Sequence, residues 1–435
     1  ALWDDGDGFR DNVSKENVLL TPSVRFLLGS DTRITLEGEY IDQEWDGWRL
    51  RGVPVDRDGD FRTDIDFSAN EPGDEQNLES TVLQATVDHE FTGNLRGDLS
   101  ARYIDSEGRQ AYHEARFLAG DGRTLSREFR DITEEEEQVA VTGNLFYETG
   151  VGGQEQTWLA GAEYYSIETR RSQQRIRSAQ GVPPIDILEP VYGLSDPSTF
   201  PLVPADQFGF SSGELDRLGV YFQGNLDFGP VSLMLGGRWD DFEDESRADE
   251  TSPQPDFSTD GDEFSLRSGV VYTPVENVAV YASYTESFTP VNPSSQGRPG
   301  GPFDPTEGDQ VELGVKADWL DGRFRTTLAA YRIDKESILV TNPDPNAPLG
   351  ALIQVGEVSS EGIEFELVGD VSSNLTVSAN YAYNDVQEEQ NPLGAAAGPS
   401  GLDQLFRNKP EHQAGAWVRY ALDNEWLRQR PGGDL

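Results

Sequence analysis

The sequence predicts an all-β fold, a transmembrane antiparallel up-and-down β-barrel. Three observations predict it. Apolar residues recur at period two along nearly the whole chain, short turns alternate with long polar connections, and aromatic residues gather at strand ends. Composition agrees. Only 36% of the 435 residues are hydrophobic, which is poor for a large globular core, yet 10% are aromatic and the chain holds 45 Gly and 25 Pro. A barrel wall in lipid needs apolar side chains on one face only, and its lumen and loops stay polar.

Charge and rare residues narrow the function. Lys and Arg number 34 against 79 Asp and Glu, a formal charge of −45. A surface that acidic repels polyanions, which excludes nucleic acid as a partner. With no Cys, the chain has no disulfide scaffold, thiolate metal site or Cys nucleophile. Its three His, at 89, 113 and 412, are too scattered for a multi-His metal centre. No apolar run is long enough for a transmembrane helix. The start at Ala1 without a signal peptide reads as a mature form or a fragment.

The strands follow in order. Val18 to Leu28 carries Val18, Leu20, Val24, Phe26 and Leu28, and Ile34, Leu36 and Tyr40 lie opposite Thr35, Glu37 and Glu39. Ala85, Val87 and Phe91 form the next face, then Leu95, Leu99, Ala101 and Tyr103, then Val139, Val141, Leu145 and Tyr147. Further segments centre on 158–164, 215–226, 231–239, 264–272, 278–284, 311–317, 324–333, 353–368, 375–383 and 412–420. That makes about fifteen strands, with no helical periodicity between them.

Turns at 29–32, 92–94, 150–155, 227–230, 273–277, 320–323 and 369–374 are short and rich in Gly, Asp, Asn and Pro. Between them, in alternation, lie long polar connections at 43–77, 105–135, 169–212, 241–262, 286–307, 334–350 and 385–407. Unequal rims of this kind belong to outer-membrane barrels. Tyr40, Tyr103, Tyr164, Trp239 and Tyr284 end strands toward the long-loop rim; Phe91, Tyr147, Tyr272, Trp319 and Tyr420 end strands toward the other. Two such belts are expected at the two bilayer interfaces. An odd number of antiparallel strands cannot close edge to edge, and unpaired edges in lipid are costly, so residues 1–422 are expected to be a segment of a larger barrel. Residues 423–435 read as a tail without strand pattern.

The wording between the strands resembles the TonB-dependent siderophore receptors. The resemblance rests on an ordered series: Glu189-Pro190-Val191-Tyr192-Gly193, Gly219-Val220-Tyr221-Phe222-Gln223, Leu235-Gly236-Gly237-Arg238-Trp239-Asp240, Val280-Tyr281-Ala282-Ser283-Tyr284, Gly308-Asp309-Gln310-Val311-Glu312-Leu313-Gly314, Glu361-Gly362-Ile363-Glu364 and Asn408-Lys409-Pro410-Glu411-His412. It is strongest after about residue 169 and weaker over Asn17–Tyr40 and Arg51-Gly52-Val53-Pro54. It implies an outer-membrane barrel of about 22 strands, of which about 15 are present here. It also implies a ferric siderophore as ligand, outer-membrane lipid around the wall, and a TonB complex as energy source. The plug domain and the TonB contact box of that family have no counterpart in this sequence.

Each candidate site also admits a simpler role. Aromatic rings and arginines suit an anionic ferric chelate, which nominates Trp45, Trp48, Arg49, Tyr112, Arg116, Tyr192 and Phe303; each could equally be packing in a belt or loop. Because the chain as a whole repels anions, arginines would have to dominate locally. Asp56, Asp58, Asp60 and Asp64, in the 56–66 loop, are candidate Ca²⁺ ligands, although the EF-hand pattern is only half met and a solvated acidic loop explains them too. No other cofactor is required. Gly209-Phe210-Ser211-Ser212-Gly213 matches G-x-S-x-G but lacks the strand-to-helix setting and triad His, so the chain is not expected to be an enzyme. Glu134–Glu137 and Asp240–Glu245 could be paired carboxylates for acid–base work, but a solvated charged rim or lumen explains them better. Two other functions fit the same pattern: a plugless passive pore or surface-binding barrel, and a soluble acidic all-β protein adapted to high salt.

Overall fold

A computed structural model describes residues 1–47, 53–56, 58–200, 212–247, 256–291, 293–296, 298–342, 344, 346–348, 350–390 and 410–422. Trp48, Arg49, Ser211 and the tail at 423–435 lie outside these residues. Among the described residues there are eighteen strands: β1 (Leu2–Asp7), β2 (Ser14–Leu20), β3 (Ser23–Leu28), β4 (Thr32–Asp46), β5 (Glu75–Thr92), β6 (Leu95–Leu118), β7 (Thr124–Val151), β8 (Gln154–Ile176), β9 (Ile185–Asp186), β10 (Ser212–Phe228), β11 (Val231–Arg247), β12 (Phe257–Val275), β13 (Val278–Thr289), β14 (Thr306–Trp319), β15 (Phe324–Thr341), β16 (Leu352–Ser372), β17 (Leu375–Gln390) and β18 (His412–Tyr420). The only helical pieces among the described residues are two short 3₁₀ turns and the four-residue α1 (Pro293–Gln296).

Every expected strand is found, with four differences, one of them the two-residue β9 inside the connection expected at 169–212. The expected Val18–Leu28 strand is two, because Thr21-Pro22 interrupts it: proline has no N–H for the ladder, and Pro22 O instead accepts from Gly38 N at 2.9 Å. β2 and β3 both pair with β4. The first strand, β1, was unforeseen because Asp4-Asp5-Gly6-Asp7 hides its pattern; it pairs with β2 from Leu2↔Leu19 to Asp7↔Ser14. The connection expected at 105–135 is mostly ladder, since β6 runs to Leu118 and β7 begins at Thr124. Polar side chains interrupt both faces there, so period-two hydrophobicity does not mark it. Asp121 closes the turn between them: Thr124 amide and hydroxyl and the Arg123 amide donate to its carboxylate and hold its pKa at about 2.

The chain forms two compact units, one of residues 1–144, 162–219 and 241–261, the other of 145–161, 220–240 and 262–435. In the first, β4, β5 and β6 pair antiparallel in register from Thr32↔His89 and Glu75↔Ala111. Leu36, Leu83 and Leu99 are exposed on one face of these strands. Above the membrane part, apolar clusters gather Phe67, Leu125, Ile185 and Ile187, and separately Ala111, Phe129, Ile176 and Val182. These clusters fasten the loop segments at 66–74 and 182–200 onto β6 and β7.

In the second unit β12 to β18 form an antiparallel meander. Its exposed apolar face carries Leu235, Leu313, Leu328, Ile363 and Phe365, while Glu312, Lys316 and Tyr331 alternate onto the opposite face. On that polar face glycines make room for rings: a Cβ at Gly314 would overlap the Tyr281 ring, and one at Gly362 the Tyr331 ring.

The rim belt is tied to the acidic residues just beyond it. Within the first unit Tyr40 Oη donates to Glu79 at 3.3 Å and Tyr164 Oη to Asp216 at 2.7 Å. Within the second, Trp239 Nε1 donates to Asp262 at 3.2 Å and Tyr284 Oη to Glu286 at 2.7 Å. An amphipathic ring with its polar tip turned to water is the arrangement expected at a membrane interface.

Candidate functional site

The extensions of β6, β7 and β8 carry two chemically different faces. On β6, Ala111, His113 and Ala115 point one way and Tyr112, Glu114 and Arg116 the other, as strand alternation requires. The first face lies under the loop segments. There Asp74 Oδ1 meets His113 Nδ1 at 2.7 Å, Asp74 Oδ2 accepts from the His113 amide at 2.8 Å, and His113 Nε2 meets Ser195 Oγ at 2.7 Å. Beside them Arg127, 1% exposed, donates to Glu71 at 2.7 Å and to the carbonyls of Ala69 and Pro183. Glu71 also accepts from the Gly193 amide at 2.6 Å, and Tyr192 Oη donates to Ser68 O at 3.0 Å. Burial, with the Asp11 charge behind it, pushes the Tyr192 hydroxyl up to about 12. The Asp74–His113–Ser195 line has the spacing of an acid–base–nucleophile relay. Here its groups are enclosed, and it pins the 191–200 segment to β6.

The second face carries a guanidinium cluster. Arg130 donates through Nε and Nη2 to Glu128 Oε1 at 3.0 and 2.8 Å, and its Nη2 lies 3.0 Å from Glu114. Arg175 Nη2 reaches Glu128 Oε2 at 2.9 Å, and Arg116 lies 3.4 Å from Glu128 and 3.5 Å from Glu114. Both carboxylates are buried while all three arginines are partly exposed. Burial alone would raise the Glu128 carboxyl; the bonds from Arg175 and Arg130 outweigh it and hold it at about 2. Three guanidiniums gather on two buried carboxylates, in a chain of formal charge −45. Such a cluster can bind an anion by charge-assisted, paired N–H donation.

Other charged places are of the opposite sign. A cleft of about 290 Å³ in the first unit is lined by Asp105, Glu107, Glu135, Glu136, Glu137 and Glu168 with Arg170, and one of about 270 Å³ in the second by Glu263, Glu286, Glu307, Asp309, Asp334 and Glu336. Glu134–Glu137 thus belong to the open rim, as expected. Asp240–Glu245 do not all follow: Asp241, Glu243 and Glu245 are outside, but Asp240, Phe242 and Asp244 alternate onto an enclosed face of β11. Asp244 is 1% exposed, neither carboxylate oxygen has a hydrogen-bond partner among the described residues, and burial lifts its pKa to about 7.

The barrel profile described as "TonB dependent receptor-like, beta-barrel" matches residues 18–434. The chain belongs to the TonB-dependent receptor β-barrel family. It is 28% identical to the metal-pseudopaline receptor CntO of Pseudomonas aeruginosa over 99% of this chain and 59% of that protein. It is 25% identical to the ferrioxamine B receptor of Salmonella typhimurium over 95% of this chain and 56% of that one. The crystal structure of the siderophore receptor PiuA from Acinetobacter baumannii superposes with a TM-score of 0.76 at 20% identity, covering 97% of this chain and 64% of that chain. This receptor barrel therefore spans somewhat under two thirds of such relatives, and it is an outer-membrane protein.

The receptor barrel brings together only part of the sequence-nominated set. Tyr112 and Arg116 share the guanidinium face, although Tyr112 is 3% exposed and offers no open ring. Trp45, half-buried on β4, donates to Asn17 at 2.7 Å; Tyr192 lies in the loop layer; Phe303 is buried with Val291 and Leu352 in the second unit. Trp48 and Arg49 lie outside the described residues. In the loop nominated for calcium, the Asp56 carboxylate accepts from the amides of Asp58 and Asp60 at 3.0 Å each, and Arg62 approaches it at 3.8 Å. Among the described residues no three carboxylate or imidazole groups converge as a metal site. Sequence reasoning missed Arg130, Arg175, Glu114 and Glu128. Their signal was a repeated E-x-R, Glu114-Ala115-Arg116 and Glu128-Phe129-Arg130, which places each Glu and Arg on one strand face.

Proposed function

We propose that this chain is the ligand-receiving barrel of an outer-membrane receptor for a ferric siderophore or a similar metal chelate. The observation that carries the reading is the Arg116–Arg130–Arg175 cluster beyond the membrane belt, a gathering of partly exposed guanidiniums on an acidic molecule. The names of the relatives point the same way: each is a receptor for a metallophore or siderophore. The barrel binds and passes its ligand without chemistry on it, and energy-coupled uptake through TonB is a property of the whole receptor. The barrel's share is recognition. Attraction at these guanidiniums concentrates an anionic chelate against the repulsion of the remaining surface.

Binding of ⁵⁵Fe-labelled chelates to outer membranes carrying the whole receptor tests this. At least one anionic chelate should bind saturably, and Arg116→Ala should weaken it tenfold or more. Equal retention by wild-type and variant membranes would refute the assignment of the site.

A further inference from the structure

Resting on that reading, we propose that the loop segments at 66–74 and 182–200, seated on the opposite face of the strands, hold the anion-binding arginines in place, and that Arg127 and His113 are positioning residues for that site. The order of side chains carries this. Every member of the guanidinium cluster is flanked in sequence by a residue fastened to the loop layer. On β6, Glu114 and Arg116 alternate with His113, bound to Asp74 and Ser195, and with Ala115, which packs on the cluster of Phe67 and Ile187. On β7, Glu128 and Arg130 alternate with Arg127, bound to Glu71, and with Phe129, which packs with Val182 and lies 6.0 Å from the Phe200 ring. On β8, Arg175 precedes Ile176, a member of the same cluster as Phe129.

Beyond the membrane belt, a few strands are marginal unless one face is covered by packing. The loop layer supplies that cover, with Phe129, Ile176, His113 and Arg127 all enclosed beneath it. The cluster face cannot supply it. Its guanidiniums lose rotamer freedom when gathered, and its two carboxylates tolerate burial only while those guanidiniums donate to them. With the layer seated, the ladder fixes the spacing of β6, β7 and β8, and the arginines converge on Glu114 and Glu128. With the layer lifted, the ladder frays, the arginines return to water and the carboxylates follow. The anion site thus depends on groups enclosed on the far side of its own strands.

The test loosens the layer from its own side, so that β6, β7 and β8 keep their side chains. Glu71→Ala removes the carboxylate partner of Arg127, and Asp74→Ala removes that of His113. In the whole receptor in detergent, hydrogen exchange at 66–74 and 182–195 should rise roughly tenfold or more in each variant, with the heat-dependent gel mobility of the wild-type barrel retained. The deciding readout is isotope-edited infrared titration of Glu128, with Glu128→Gln as the blank. The wild-type midpoint lies at about 2. Both variants should raise it by about one pH unit or more, toward the ordinary carboxylate range. Phe303→Ala, which empties the Val291–Leu352 cluster in the second unit, should leave it in place. A midpoint unmoved by a loosened layer, or moved as far by Phe303→Ala, would overturn the positioning role, as would a layer that neither substitution loosens. None of these readouts uses a ligand. Chelate retention indifferent to Arg116→Ala would therefore refute the proposed function separately, with the Glu128 result unaffected.

Discussion

Replacing Arg127 by Met is the sharpest test of how the loop layer is held on β6 and β7. The guanidinium is almost wholly enclosed and satisfies one carboxylate and two carbonyls: Glu71 at 2.7 Å, Ala69 O at 3.0 Å and Pro183 O at 3.2 Å. Methionine fills most of the volume but leaves Glu71 as a buried charge held by the Gly193 amide. Breaking such a pair from one side costs about 3–5 kcal/mol, since the remaining charge stays desolvated. At about 1.4 kcal/mol per tenfold, transient opening of the 66–74 and 182–195 segments should rise by roughly two to three orders of magnitude. Hydrogen exchange with mass spectrometry reads this directly, at amides such as Ile187, which donates to Arg123 O, and Gly193. The double variant Arg127→Met/Glu71→Gln should recover part of the protection because no charge is then stranded. A change below about threefold in Arg127→Met would mean that the apolar clusters hold the layer by themselves, and the reasoning would be refuted.

Three further outcomes are expected. Asp244 has a folded pKa raised to about 7 from 3.8, so its contribution is full at low pH and is lost as pH rises through about 7; Asp244→Asn should raise resistance to proteolysis at pH 8 and leave it unchanged at pH 4. Glu128 is displaced the other way, to about 2 from 4.5, so the stability it gives is present above about 4.5 and lost only as pH falls through about 2; isotope-edited infrared titration should find its carboxylate still ionised at pH 3.5, and a protonated signal there would count against the cluster. Gly314→Ala must displace the Tyr281 ring and should cost about 1–3 kcal/mol, read as a lower temperature for loss of heat-resistant gel mobility, whereas Gly93→Ala, with nothing near its Cβ position, should be close to neutral by that measure.

Much of the fold was legible because the membrane part obeys one rule. Where one face meets lipid, as at Leu313 and Ile363, alternation is enforced and the sequence displays it. The rule lapses above the belt. Residues 105–118 and 124–135 are strands with polar side chains on both faces, so they read as loops although the ladder continues through them. β1 escaped for the same reason. Of the site, Arg116 and Tyr112 were found by residue type alone, and the rest depended on a pairing between β6, β7 and β8 that no single segment reveals. Asp244 was misjudged because an acidic run looks solvated from sequence; alternation turned every second residue of β11 inward, where Phe242 is enclosed as well.

In a bilayer one face of the strands contacts hydrocarbon while the other contacts water. Spin labels placed one at a time at Leu235, Arg238, Glu312 and Leu313 in a reconstituted bilayer measure this, by relaxation from dissolved oxygen against a water-soluble nickel chelate. Leu235 and Leu313 should be oxygen-accessible and shielded from nickel, with Arg238 and Glu312 the reverse. Nickel reaching Leu313 as readily as its neighbour Glu312 would contradict the bilayer-spanning wall, and with it the receptor reading.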